Sequence, residues 1–260
     1  MSDSIHLDYY ALGISYLFVA IVLIVLKAKK INREKLLFIS SLRMTLQLII
    51  AGYVLEYILT TNNPLVTVLV YLVMVSFAVY TVKQRAGKFL SKSGLYVVII
   101  AIFTGSSLSL FILLFLVIKP DPYLEARYVI PITGMLVGNS MTGITLAVKS
   151  IFDKAKDNKS LIINSLCLGA KPKDSISFIN KEVFDISILP TLNSMISMGI
   201  VSLPGMMTGQ ILSGESPTNA IIYQIIIMLG ILSSVTIGVM IITFRSDKLV
   251  FDQFDNLRIK

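Results

Sequence analysis

The sequence is poor in charged residues, cysteine and histidine, and each shortage excludes a class of protein or site. Charged residues make up only 15% of the 260, against about 25% in an average soluble domain. One cysteine, Cys167, cannot form an internal disulfide, and one histidine, His6, cannot complete a zinc site with it. The acidic start, MSDSIHLD, is unlike the basic beginning of a secretory signal peptide. A disulfide framework, a zinc protein and a soluble enzyme are therefore not expected.

Apolar residues, 55% of the chain, occur instead in long runs. Runs of roughly 20 apolar residues with few charges predict transmembrane helices. Seven such runs occur, at 9–26, 36–59, 64–82, 95–118, 128–148, 184–212 and 219–243. Asn63-Pro64 and Ser216-Pro217 each place a capping side chain before a proline, which is typical of a helix start. The sequence predicts an all-α integral membrane protein with seven transmembrane helices, a single transmembrane domain (1–260) that lies, multi-pass, in the cell membrane.

Lysine and arginine predict the orientation of these spans. In a seven-span topology, 20 of the 23 basic residues fall on one side, in the segments 27–35, 83–92, 149–181 and 245–260. Cytoplasmic loops carry the excess of positive charge, so the N-terminus is expected outside and the C-terminus in the cytoplasm. The net charge of +8 follows from these scattered loop residues. It indicates membrane lipid, and not nucleic acid, as the surrounding partner.

The sixth run is interrupted by proline and glycine, at Pro204, Gly205 and Gly209. A re-entrant loop here would place the basic C-terminal tail outside, so the charge pattern favours one complete crossing, bent or unwound at 203–205. Pro204 lacks the amide that would bond to the carbonyl of Ile200 in a helix. Irregular backbone at membrane depth is tolerated where it is buried in protein or lines a cavity. These residues are therefore candidates for a pathway or gate.

The fifth run, PITGMLVGNSMTG, is the second candidate. Gly134 and Gly138 form a small-xxx-small pair that allows another helix to approach closely, and Gly205 and Gly209 repeat this spacing. Polar side chains follow in the same run, at Asn139, Ser140 and Thr142.

Methionines are frequent in these two runs, and Met206 and Met207 are adjacent. Thioethers favour soft ions such as Cu(I), whereas Fe(II) prefers nitrogen and oxygen ligands. Metal ligation by Met206 or Met207 is one interpretation. Packing at a dimer or gating interface is the other, since methionine is a common gap-filler.

The second run carries three further polar candidates. Arg43 either faces a water-filled pathway or extends its guanidinium to lipid phosphates. Gln47 lies one helical turn further along the same predicted face. Glu56, near the outer end, either binds a leaving cation or lies among lipid headgroups.

Residues 149–183 form the longest soluble segment. Leu161, Ile162, Leu166 and Leu168 give one short helix an apolar face, and Gly169 ends it. Ile176, Ile179 and Val183 continue on a second helix. Two amphipathic helices joined at a glycine suit docking to a soluble partner. A linker that lies on the membrane surface fits the same pattern.

Three stretches resemble a known family. NSLCLGAKPKDS is similar to the EAA-x-x-x-G coupling motif of ABC-transporter permeases, with Ile163 where that motif has an acidic residue. ARYVIPITGMLVGNSMTGI and GIVSLPGMMTGQILSGESPTNAIIYQI resemble segments of the FetB-like permeases, which include bacterial iron exporters and plant aluminium-tolerance proteins. The resemblance covers essentially the whole chain. It implies a homodimeric permease coupled to a separate ATP-binding subunit. The residues that it assigns to coupling are Leu166, Leu168, Gly169, Ala170, Lys171 and Pro172.

A nucleotide site is not found, because the sequence contains no G-x-x-x-x-G-K-[ST]. The expected function is therefore that of an ABC permease that exports iron or another metal, binds no cofactor, is not an enzyme and relies on a partner to hydrolyse ATP. A non-metal cargo such as a nucleotide sugar is the alternative, suggested by the plant members. A seven-span receptor shares the topology, but a retinal protein needs a lysine in its last span, and 219–243 has none.

Overall fold

The computed structural model describes residues 9–61, 63–86, 90–252 and 257, which are helical with short connections. They belong to two compact units, Met1–Asn62 and Asn63–Lys260, each considered by itself below. Eleven α-helices are described: α1 (Tyr9–Ala28), α2 (Glu34–Thr61), α3 (Pro64–Ala86), α4 (Lys92–Phe111), α5 (Ala126–Asp157), α6 (Lys159–Cys167), α7 (Pro172–Ser175), α8 (Asn180–Ser197), α9 (Gly205–Leu212), α10 (Pro217–Phe244) and α11 (Asp247–Val250).

The first unit consists of α1 and α2, which pack against each other. Both are apolar on most of their surface, as expected of helices surrounded by lipid. Tyr16 joins them through its hydroxyl, which lies 2.6 Å from that of Thr45 and also donates to the carbonyl of Ser41 over 3.5 Å. The contact satisfies two polar groups that would be costly to leave unpaired in hydrocarbon.

The second unit is a bundle in which α10 packs along α4, α5 and α8, while α3 packs along α5. Small residues allow the closest approaches. A Cβ atom placed on Gly105 of α4 would lie 2.6 Å from the carbonyl oxygen of Ser234 on α10. Ser140 of α5 and Ser234 form a buried hydrogen bond of 2.7 Å. Close backbone approach and interhelical hydrogen bonds are the contacts that stabilise bundles in lipid, where the hydrophobic effect between helices is absent.

Helix boundaries follow the predicted start signals. Ser216 accepts a hydrogen bond from the amide of Asn219, and Pro217 is the first residue of α10. Asn63 Oδ1 accepts from the amide of Leu65, and α3 begins at Pro64. The fourth predicted run continues beyond α4 as a π-helix, Ile112–Ile118, which its composition did not indicate.

Six helices among the described residues are long and apolar enough to cross a bilayer: α1, α2, α3, α4 with its π-helical extension, α5 and α10. The sixth predicted run, 184–212, is divided between α8 and α9, and neither helix has the length and hydropathy of a span alone. The all-helical membrane architecture is thus confirmed for the described part of the chain. Helix α5 has 32 residues, about 48 Å, and so extends well beyond a hydrocarbon core of about 30 Å.

Candidate transport pathway and coupling site

The sixth predicted run is unwound, not merely bent. Helix α8 ends at Ser197, α9 begins at Gly205, and residues 198–204, hereafter the break, are not helical. Gly199 has a φ of +86°, in the left-handed region that favours glycine. Its amide donates to the carbonyl of Ser202 over 2.9 Å, which closes a small turn.

The break begins earlier than proline alone predicts. Pro204 lies immediately before α9, where a missing amide costs no helical hydrogen bond. The backbone leaves the helical region at Met198, six residues upstream, which is extended with a ψ of 136°, and Gly199 follows in the left-handed region. The predicted interruption at 203–205 is therefore only the C-terminal end of a longer non-helical segment. The exposed side chains of the break include Ile200 and Val201.

The methionines beside the break contact the core of the second unit. Met207 is buried at 8% exposure, and Met206 and Met198 are partly buried against the core cluster. Among the described residues, no group of three or more His, Cys, Asp or Glu side chains could hold a metal ion.

Gln224 is a residue of this region that the sequence reasoning missed. It lies on α10, it is buried at 6% exposure, and its amide nitrogen donates to the Sδ atom of Met198 at 3.8 Å. Its Oε1 atom has no hydrogen-bond partner in the described part of the chain. The sequence did contain a signal, because Gln224 is the one amide side chain of the apolar run 219–243 apart from Asn219 at its start.

The contacts of α8 with its neighbours show its direction relative to α10. Ser187 and Val235 both lie within 4 Å of a Cβ atom placed on Gly143. Met198, eleven residues after Ser187 and just beyond the end of α8, lies beside Gln224, which is eleven residues before Val235 on α10. The two helices are therefore antiparallel, and the break lies beside the first third of α10.

The candidates of the fifth run separate onto two faces of α5. Ser140 is fully buried and bonds to Ser234, so it is part of the packed bundle. Asn139 is exposed, and its amide group donates back to the carbonyl of Met135. Nothing lies within 4 Å of a Cβ atom placed on Gly134 or Gly138. No helix of the described chain therefore uses this glycine pair, and the same is true of Gly205 and Gly209.

Arg43, Gln47 and Glu56 lie on α2, in the first unit, and all three are exposed. Arg43 and Gln47 share a face, as predicted. Glu56 is nine residues beyond Gln47, which at about 100° per residue places it on the opposite side of the helix. One surface of α2 therefore does not present all three side chains together.

Residues 149–183, hereafter the coupling segment, are firmly attached to the bundle. Ile162, Ile176, Ile179 and Val183 are all buried within the main core cluster. Lys154 forms an ion pair with Glu182. The ammonium of Lys173 lies 3.7 Å from the ring centroid of Phe244 at the end of α10. The segment therefore packs against α5, α8 and α10.

The predicted glycine turn between the two short helices is present at residues 168–171, hereafter the elbow. Gly169 has a φ of +89°, and its amide donates to the carbonyl of Leu166. Pro172 begins α7 directly after Lys171. Leu168 is 89% exposed, whereas Leu166 and Ala170 are partly buried. The elbow therefore carries one large exposed apolar side chain, Leu168, between two partly buried residues.

Comparisons of the sequence with known proteins identify the family of the chain. A model described as "Uncharacterised protein family (UPF0014)" matches residues 9–251. The chain is 34% identical to "UPF0014 membrane protein YjkA" of Bacillus subtilis over 97% of its own length and 99% of the relative's. No solved structure matches the chain.

Two further relatives carry names that refer to metals. The chain is 30% identical to "Probable iron export permease protein FetB" of Escherichia coli, over 95% of its own length and 92% of the relative's. It is 37% identical to "Protein ALUMINUM SENSITIVE 3" of Arabidopsis thaliana, over 81% and 76% of the two chains. With its all-helical architecture and matches along almost its whole length, the chain belongs to the UPF0014 family of membrane proteins.

Proposed function

We propose that the chain is the permease subunit of an ABC transporter that exports iron or another metal ion. A separate subunit binds and hydrolyses ATP, and two copies of the chain form the transmembrane pathway. Family membership and the printed name of the Escherichia coli relative support the permease assignment. The observation that carries the coupling part of the proposal is the elbow, with Leu168 exposed on a segment anchored in the core.

The proposed topology keeps seven crossings, with α8, the break and α9 together forming the sixth. Helix α9 packs on α10 and reaches it through the four-residue connection 213–216, while the end of α8 also lies beside α10. This order fits a single interrupted crossing that runs antiparallel to α10. The N-terminus is then outside, and the coupling segment lies in the cytoplasm, where ATP is available.

The unoccupied glycine faces of α5 and α9 fit contact with a second copy or with a moving gate. Leucine in place of Gly205 has room within the described chain, because nothing lies within 4 Å of its Cβ position. We therefore expect Gly205→Leu to insert and fold normally but to lose transport. Gly13→Leu, at an equally open position on α1, is the matched control. Full transport by Gly205→Leu would show that nothing approaches this face.

The proposal is tested by reconstituting the chain and its ATPase subunit in nanodiscs and measuring ATP hydrolysis against Fe(II), other metal ions and nucleotide sugars. Saturable stimulation by one metal ion is expected. Stimulation by a nucleotide sugar and by no metal would retain the permease assignment and replace the cargo. An absence of any stable complex with the ATPase subunit would contradict the permease assignment itself.

A further inference from the structure

Residues 27–35, hereafter the basic turn, join α1 to α2 and carry a dense cluster of positive charge. Five of these nine residues are basic, and all five side chains are exposed: Lys27, Lys29, Lys30, Arg33 and Lys35. Glu34 is the one acidic residue among them, so five positive charges against one negative leave a local charge of +4. In the part of the chain that the structure describes, none of the five basic side chains forms an ion pair. The charge of the basic turn is therefore not neutralised within the described chain.

The backbone of the basic turn is ordered by hydrogen bonds at the end of α1. The amide of Ile31 donates to the carbonyl of Leu26 over 3.0 Å, and the amide of Lys30 donates to the carbonyl of Lys27 over 3.1 Å. This pair of bonds is the Schellman motif, which ends a helix with one residue in the left-handed conformation. Here that residue is Lys30, with a φ of +53°.

Lysine is an unfavourable residue at this position of the motif. The left-handed conformation strains a residue that has a Cβ atom, so glycine usually occupies the position. Helices α6 and α9 end in the same motif, and there the chain uses Gly169 and Gly214, with φ of +89° and +97°. Strained backbone of this kind is concentrated at functional positions. A lysine in place of the favoured glycine indicates that the side chain of Lys30 has a role outside the fold.

The basic turn lies at the depth of lipid headgroups. Helices α1 and α2 are both long and apolar enough to cross a bilayer, and their apolar stretches end at Leu26 and resume at Leu36. The headgroup layer extends about 5–7 Å beyond the hydrocarbon on each side. A connection of five residues between two adjacent helices is short enough to remain in that layer. The anions nearest to the basic turn are therefore lipid phosphates.

We propose that the basic turn is a binding site for the headgroup of an anionic phospholipid such as phosphatidylglycerol. The phosphate of this lipid carries a negative charge that no choline or ethanolamine group balances, so it complements the local charge of +4. Clusters of four to eight basic residues directly beside a transmembrane helix are typical of anionic-lipid recognition. The inference concerns the first unit alone and is independent of the proposed cargo and of the ATP-binding subunit.

The test uses the full chain, purified in a mild detergent and titrated with phosphatidylglycerol or with phosphatidylcholine. Bound lipids are counted by native mass spectrometry. Lys30→Gly removes one charge from the cluster and also relieves the left-handed strain. Lys119→Gly is the matched control, because Lys119 is the other described lysine with a positive φ, +50°, and its neighbours in the chain include Asp121 and Glu125.

Lys30→Gly is expected to weaken the strongest phosphatidylglycerol site about fivefold, which is the contribution of one basic residue beside an anionic headgroup. A variant that adds Lys29→Gln and Arg33→Gln should lose more than about twentyfold. Lys119→Gly should bind as the parent does, and phosphatidylcholine should bind weakly throughout. Without added lipid, Lys30→Gly should unfold at the same or a higher temperature than the parent, which excludes a damaged turn as the cause of weaker binding.

Three results would overturn the site. The first is an unchanged affinity for phosphatidylglycerol in the variant with all three substitutions, or an equal loss in Lys119→Gly. The second is displacement of the lipid by an equal concentration of glycerol 3-phosphate, which would assign the cluster to a soluble phosphate. The third is loss of ATPase-subunit binding with lipid binding unchanged, which would assign the cluster to that protein.

Discussion

Leu168→Asp should abolish stable binding of the ATPase subunit and leave the permease folded. Leu168 is 89% exposed, so its replacement removes no packing within the chain. In a docked complex, the carboxylate of the introduced aspartate would lie in an apolar contact with the ATPase subunit. Central apolar contacts of this kind are often worth 2 kcal/mol or more, which corresponds to a loss of about 30-fold in affinity. Co-purification of the two subunits and titration of their affinity measure the effect.

The matched control is Leu212→Asp, at a leucine of similar exposure, 80%, beside the connection between α9 and α10. This position lies on the opposite side of the membrane in the proposed topology, so the ATPase subunit should bind with its original affinity. An unchanged affinity in Leu168→Asp would remove the elbow as the docking site. An equal loss in both variants would indicate a general defect and not a lost contact.

Gly105→Ala should give the largest loss of stability from a single added methyl group. Its Cβ atom would lie 2.6 Å from the carbonyl oxygen of Ser234 and 3.3 Å from the amide nitrogen of Gly238. Both are backbone atoms of a helix, so they cannot rotate away, and α4 must move from α10. Overpacking of this kind costs about 1–3 kcal/mol. Unfolding in detergent should therefore occur at a clearly lower temperature or denaturant concentration.

Gly134→Ala is the control, because the added methyl group on α5 meets nothing within 4 Å. Alanine is favoured over glycine in a helix by about 0.5–1 kcal/mol, so this variant should be as stable as the parent or slightly more stable. Equal stability of Gly105→Ala and Gly134→Ala would contradict the close packing of α4 on α10.

Much of the secondary structure could be predicted because its causes are local. The capping side chains of Asn63 and Ser216 act on amides two or three residues away, and both helix starts were placed correctly. Six of the seven apolar runs coincide with described helices long and apolar enough to cross a bilayer, for the same reason. The helical spacing of three and four residues between Ile176, Ile179 and Val183, which are buried, was also visible in the sequence.

The interior of the bundle could not be predicted, because it depends on which helices meet. Gly134 and Gly138 have the spacing expected of a close contact and are open, whereas Gly105 is the glycine that touches a neighbouring backbone. Ser140 was predicted to belong to a pathway or gate, and its hydrogen bond to Ser234, 94 residues away, could not be predicted from the sequence. Gln224 is visible in the sequence as an amide within an apolar run, but its contact with Met198, 26 residues away, is not.

Cys167 allows the central claim, a permease whose coupling segment docks on an ATPase subunit, to be tested directly. It is the single cysteine of the chain, it is exposed, and it immediately precedes Leu168. In inverted membrane vesicles, a membrane-impermeant maleimide should label Cys167 readily, and binding of the ATPase subunit should protect it at least about tenfold. Labelling only from the opposite side, or unchanged labelling when the ATPase subunit is bound, would contradict that claim.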